Sequence, residues 1–303
     1  VLVVLFNRPE VTELLIDSLR AVRPARLFVS LDGPRPSHPD DVGRCALVRD
    51  RVARVDWPCE IQYLRHDRNV GLQTAMVRAI DWFLDAVDAG IILEDDCLAH
   101  PDFFALAGEL LDRHRRDGRV MAVSALNMMP RRVDRSESYF FASGGHIWGW
   151  ATWRRAWEGF DEHLSGWPEV RRAFETSPNP LYRALAGKFA AAHDGRKHTW
   201  ARAWHFHVAR HGGLVAIPAV NLVRNVGLGP DATHTTSTRH TLGGLTVGSL
   251  PSPFVAPAAV APDPVYDAAL ARFHTWTRRR RVREHWRTVT RTARRRARRA
   301  SAP

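Results

Sequence analysis

The first 126 residues alternate short aliphatic runs with stretches in which apolar residues recur every three or four positions. VLVVLF (1–6), RLFVSLDG (26–33), EIQYLRH (60–66), GIILEDD (90–96) and RVMAVSAL (119–126) have the length and branched aliphatic content of strands. Between them, 9–22, 42–55, 73–87 and 101–117 carry helical spacing, and Val11, Leu14, Leu15, Leu19 and Val22 mark the apolar face of the first. Pro9 and Glu10 suit the opening turn of that helix. NVGL (69–72) turns the chain into the third helix, with Gly71 in the turn. Strands alternating with helices predict an α/β fold with a mostly parallel sheet and helices on both faces. In such sheets ligands bind beyond the carboxyl ends of the strands. Asn7, Arg8, Asp32 and the acids Glu94, Asp95 and Asp96 should therefore share one mouth.

Beyond about residue 140 the pattern changes. Trp148, Trp150, Trp153, Trp157, Trp167, Trp200 and Trp204 crowd a segment that reads as helices and loops. Trp153 and Trp157, four apart, read as the core face of a helix. Trp148 and Trp150 flank Gly149 in a loop. Residues 213–227 read as one or two late strands. The five prolines of 251–264 exclude a regular element and predict an extended connector that wraps the domain or leads to the tail. The expected divisions are a main α/β domain over 1–245, a Pro-rich connector and short helix over 246–277, and a tail over 278–303.

Charge changes the picture only at the end of the chain. Between Arg278 and Arg299 stand twelve arginines and one glutamate, a net of +11 against +12 for the whole chain. The body is nearly neutral, which argues against nucleic acid as its partner. Within the tail, Val282, Trp286, Val289, Ala293 and Ala297 share one helical face surrounded by arginine. That pattern suits an anionic membrane surface, at about 1 kcal/mol per basic residue. A cationic tail with no defined partner gives the same composition. Cys45, Cys59 and Cys97 have no paired spacing, which fits a reducing, cytoplasmic setting and excludes a disulfide framework or zinc knuckle. No run approaches the length of a membrane span. The expectation is a cytoplasmic protein, peripheral on the inner face of the membrane.

The acids at 94–96 pose the chemical question, because unpaired carboxylates at the end of a buried strand are costly. Two of them about 4 Å apart repel by about 4 kcal/mol at an effective dielectric near 20. A hard divalent cation, Mg²⁺ or Mn²⁺, suits such oxygen ligands and would offset a diphosphate leaving group. A solvated strand end that caps the next helix is the plainer reading of the same three letters. No G-x-G-x-x-G follows the first strand, and the chain contains no P-loop, no G-x-S-x-G and no H-E-x-x-H.

VLFNRPE, SLDGPR, NVGL, GIILEDDCLAHPDFF, IWGWATWRRAW and NLVRNVGLGPDATHT occur in this order over roughly residues 1–240. The series resembles the GT-A glycosyltransferases, in the bacterial family-2-like branch with an E-D-D form of the D-x-D motif, similar to the N-acetylglucosaminyltransferase I group. The resemblance implies a Rossmann-like nucleotide-diphospho-sugar transferase fold, a nucleoside-diphosphate-sugar donor and a carbohydrate or lipid-linked acceptor. It implies Mn²⁺ or Mg²⁺ on Asp96, with His234 completing the metal site or touching the diphosphate. It implies Glu94 and Asp95 on the ribose or sugar side, Asp32 on the nucleobase, and Asn7, Arg8 and Gly71 on the nucleotide. Asp32 also suits a cap of the Gly33–Pro34 turn. His146, Trp148 and Trp150 are candidates for an aromatic wall against a sugar. An inverting transfer needs a carboxylate base. Related sequences place an acid near TWARAW (199–204), where this chain has Ala201 and Arg202. The base is therefore unassigned, with Glu158, Asp161 and Asp194 the nearby acids. A nucleotidyltransferase shares the sheet and the acids, but its Gly-rich basic loop is replaced here by NRPE. A non-catalytic membrane or nucleic-acid binding protein on a decayed transferase fold is the remaining alternative.

Overall fold

The computed structural model describes residues 1–129, 136–197, 199–227 and 244–275. In its first half β1 (Leu2–Leu5), α1 (Pro9–Arg20), β2 (Arg26–Leu31), α2 (Asp40–Val52), β3 (Glu60–Arg65), α3 (Leu72–Ala86) and β4 (Ala89–Glu94) follow one another. The four strands are parallel, in the order β3-β2-β1-β4. All of β1 is buried, as a continuous aliphatic strand covered on both faces should be. In α1 the buried face is Thr12, Leu15, Ile16 and Leu19. Leu14, expected on it, is exposed.

The second half runs β5 (Cys97–Ala99), α4 (Pro101–Arg113), β6 (Val120–Ser124), β7 (Tyr139–Ala142), β8 (Trp150–Trp153), α5 (Arg154–Trp157), α6 (Trp167–Glu175), α7 (Pro180–His193), α8 (Trp200–Arg210), β9 (Leu214–Pro218) and β10 (Val223–Asn225). The sheet reaches eight strands in the order β3-β2-β1-β4-β8-β6-β9-β7. It is mixed but mostly parallel: β8 enters antiparallel between β4 and β6, and β7 lies antiparallel on β9 at the edge. Trp153 was expected on a helix with Trp157, but it ends β8. Strand alternation then sends Trp150 and Trp153 to opposite faces. The Trp150 ring packs 5.2 Å from that of Trp204 on α8. The Trp153 indole N–H donates to the carbonyl of Leu111 on α4. Helices therefore cover both faces.

The proline-rich segment is a strap along the edge strand. Ser138, just ahead of β7, donates its N–H to Val255 O and accepts the Val255 N–H on its hydroxyl. Phe141 bridges to Pro262, and the Asp263 N–H donates to Phe141 O. A strap that offers carbonyls and few N–H groups covers an open edge without extending the sheet. The helical residues 264–275 follow and bury Tyr266 and Leu270 in the core. Asp267, 2% exposed, accepts from the Ser143 N–H and hydroxyl and from the Asn179 amide, so its burial is compensated. Among the described residues no helix is long and apolar enough to cross a membrane.

Candidate functional site

Because β1 to β4 are parallel, their carboxyl ends bring Asn7–Arg8, Asp32–Gly33, the loop 66–71 and the acids 94–96 to one edge of the sheet. Val4 lies beside Glu94 in the register, so Arg8, a few residues further on, reaches Asp95 and Asp96. Its Nε donates to Asp95 Oδ2 at 2.9 Å, while Nη2 contacts Asp95 Oδ1 and donates to Asp96 Oδ2 at 3.2 Å. The Asp95 contact is a planar fork, the geometry in which a guanidinium holds a carboxylate best.

A cation was expected to make the acid cluster tolerable, and a resident guanidinium already does part of that. Asp95 is 5% exposed. Burial disfavours the charge on Arg8, but Asp95 and Asp96 overcome it and hold the guanidinium firmly protonated. Burial raises the Asp95 carboxyl above its ordinary range although Arg8 pulls the other way. Among the described residues Glu94 accepts no such fork, and Arg8 only partly offsets its charge. Burial, with repulsion from Asp96 and Asp95 added, pushes its carboxyl up to about 8.

Asp96 is the acid that remains partly open, its side chain 17% exposed. The amide of Asn225 donates to its Oδ1 at 3.0 Å, and the thiol of Cys97 leans on the same oxygen at 3.4 Å. Asn225 closes β10, which pairs antiparallel with β5 and so folds back over the mouth. The Val226 N–H donates to the Asp96 carbonyl. At Gly227 a Cβ would stand 2.1 Å from Asp96 Oδ2 and 2.7 Å from an Arg8 nitrogen, so a side chain there would push the Asp96–Arg8 contact aside.

On the other side of the mouth the predicted residues are bound to one another. The Asn7 amide donates to Asp41 Oδ1 at 2.6 Å, and Arg35 closes on the same carboxylate with its Nε, Nη2 and backbone N–H. Arg35 chiefly, with Asn7, holds Asp41 well below the usual carboxylate range. Asp32, 7% exposed, takes the Gly33 and Val70 N–H groups and the Asn69 amide. Gly71 begins α3 at φ +84°, with open space where a Cβ would point.

The proposed aromatic wall divides. Trp150 is 2% exposed and belongs to the core, stacked near Trp200 and tilted on Trp204, so it offers no face to a ligand. Trp148 is half-buried, one step beyond Gly149 at the end of β8 nearest Glu94. His146 faces an interior cavity of about 20 Å³ beside His205 and His274, room for a single water and not for a sugar.

The three acids proposed as bases have other surroundings. Asp161 accepts the N–H groups of His163 and Ser165 and closes a turn. Asp194 pairs with Arg196 and His193 after α7. Glu158 is exposed and follows α5, whose first N–H donates to Asp88 at the opposite edge of the sheet. Glu162, which sequence reasoning passed over, accepts from Gln73 in the first turn of α3 and so lies at the level of the mouth.

A hard cation takes one or two carboxylates and fills its shell with water and phosphate oxygens. Asp96 is one partly exposed carboxylate, with Oδ2 on Arg8 and Oδ1 on Asn225. Among the described residues no three His, Cys, Asp or Glu side chains form a metal-binding group. His234 and the tail over 278–300 lie outside the described residues. Comparison with protein-family models found no match, and no curated protein matches the chain at a significant level.

Proposed function

We propose that the protein is a metal-dependent glycosyltransferase of the GT-A kind. It would move a sugar from a nucleoside-diphosphate donor to an acceptor hydroxyl in surface-polysaccharide or glycolipid synthesis. The observation that carries this reading is the partly open Asp96 at the carboxyl end of β4, beside the Arg8 guanidinium and under Gly227. In the transfer, the acceptor oxygen bonds to the anomeric carbon, the bond from that carbon to the phosphate oxygen breaks, and the nucleoside diphosphate leaves. The acceptor proton goes to a base that is not assigned. A bound Mn²⁺ or Mg²⁺ would offset the charge of the leaving diphosphate. Asp96 would hold it, Asn225 would orient Asp96, and Arg8 would place a positive charge within reach of phosphate oxygens. The arginine-rich residues 278–300 would keep the enzyme at an anionic membrane surface, near lipid-linked acceptors.

Two observations favour a second reading, a non-catalytic protein on this fold. Arg8 already neutralises much of the acid cluster, and α8 opens without an acid. Calorimetry with uridine and guanosine diphosphates separates the two. The transferase reading expects binding that needs Mn²⁺ and that weakens at least about tenfold in Asp96→Ala, the loss of one charged ligand. Binding of neither nucleotide, or binding indifferent to both Mn²⁺ and Asp96, would favour the second.

A further inference from the structure

The family resemblance assigns Asp32 to the nucleobase, but its surroundings give it another task. We propose that Asp32 is a positioning residue that clamps the loop 66–71 onto the end of β2 and so builds the groove wall at this end of the mouth. The inference rests on the transferase reading only where it concerns nucleotide affinity.

Three donors converge on this one carboxylate. Oδ1 accepts the Gly33 N–H at 2.9 Å and the Val70 N–H at 3.0 Å, and Oδ2 accepts the Asn69 amide at 2.7 Å. Two of these come from a loop more than thirty-five residues away in the chain. The same Asn69 amide reaches Gly33 O at 3.3 Å, and the Asn69 N–H donates to Pro34 O at 3.1 Å. A carboxylate has about four acceptor positions, and three are filled. With the residue 7% exposed, little of its surface is left to a ligand. Close packing supports the clamp. A Cβ on Gly33 would stand 2.5–2.6 Å from backbone atoms of Arg68, so the two loops touch main chain to main chain. Gly71 follows at φ +84° and starts α3 without a side-chain cap. The clamp thus fixes where α3 begins, and a base lying here would meet the backbone of the two loops.

The exchanged pair Asp32→Asn/Asn69→Asp tests this, because it moves the carboxylate across the same hydrogen bond. Hydrogen exchange at Val70, thermal melting, and affinities for uridine, cytidine, adenosine and guanosine diphosphates would be measured for the wild type, Asp32→Ala and the exchanged pair. Asp32→Ala should speed exchange at Val70 by about tenfold or more, as the loss of a buried acceptor implies. It should weaken all four nucleotides by a similar factor and leave their ranking unchanged. The exchanged pair should recover protection, melting temperature and affinity. Unchanged exchange at Val70 in Asp32→Ala would overturn the proposal. So would a reordered nucleotide ranking in the exchanged pair, since that marks a carboxylate that reads the base. The exchange and melting arms need no ligand. If wild type binds no nucleotide, the transferase reading falls while the clamp is still decided.

Discussion

Arg8→Met is expected to lower stability by about 3 kcal/mol at pH 8 and by far less at pH 5. Removing one member of a buried ion pair typically costs about 3–5 kcal/mol, because the partner is left as an uncompensated charge. Arg8 keeps 24% of its side chain exposed and Asp95 only 6%, which argues for the lower end. Methionine preserves the unbranched stem, so packing changes little. The pH dependence follows from Asp95. Burial already raises its pKa in the presence of Arg8, and losing the guanidinium raises it further. A carboxyl whose folded pKa exceeds its unfolded value keeps its stability contribution at low pH and loses it as pH rises through the folded value. The variant thus escapes much of the penalty at pH 5 by binding a proton. Urea denaturation of both proteins at the two pH values measures this. A loss below about 0.5 kcal/mol at pH 8 would make the contact an ordinary surface pair. Equal losses at both pH values would show that Asp95 does not carry the cost.

That pair also marks how far the sequence could be read. The parallel half of the sheet is legible because its strands, covered on both faces, are continuous aliphatic runs, and the helices between them keep regular spacing. The antiparallel strands are not. Trp150, Trp153 and Trp157 fall three and four apart, which imitates a helical face, although the first two belong to β8 and only the third to α5. β5 has three residues and owes its existence to pairing with β10, more than 120 positions later. Position along the chain placed the acids at the mouth, since strand order alone decides that. Their partners were hidden: Arg8 meets Asp95 across 87 positions and Asn225 meets Asp96 across 129. Nothing local in N-R-P-E or N-V-G announces such contacts. Nor does the sequence show that the Asn7 amide is taken up by Asp41.

Stability of the wild type is expected to fall as pH drops from 6.5 to 4.5, and this acid limb comes from histidines far from the mouth. His205 and His207 on α8 are held neutral, each lowered to about 4, and His274 to about 2. Burial is the main cause in all three, with Lys188 adding to it at His205 and His274 and His211 at His207. Among the described residues His205 Nε2 is buried without a partner, and at His207 burial outweighs the Ala156 carbonyl that Nε2 meets at 3.1 Å, so both rings resist a second proton. For each, the unfolded chain binds the proton first, near pH 6.5. Stability is therefore full above that pH and falls below it, down to about pH 4 for the pair on α8 and about 2 for His274. Glu94 opposes this. Its folded value near 8 lies above the ordinary 4.5, so its contribution is lost as pH rises between the two. From pH 6.5 down to 4.5 the histidine protons, with His114 adding to them, outweigh those retained by Glu94 and Asp95 and, through smaller shifts, by Asp81 and Asp267. Each proton of net uptake on unfolding gives a slope of about 1.4 kcal/mol per pH unit. Above 6.5 the Val1 amino group, which burial lowers to about 6, offsets Glu94. Denaturation profiles between pH 4.5 and 8.5 should trace that acid limb. His207→Gln should flatten it. If wild-type stability instead held level or rose from pH 6.5 to 5, the buried histidines would have to accept protons in the folded chain, which their enclosure on α8 and beside Lys188 opposes.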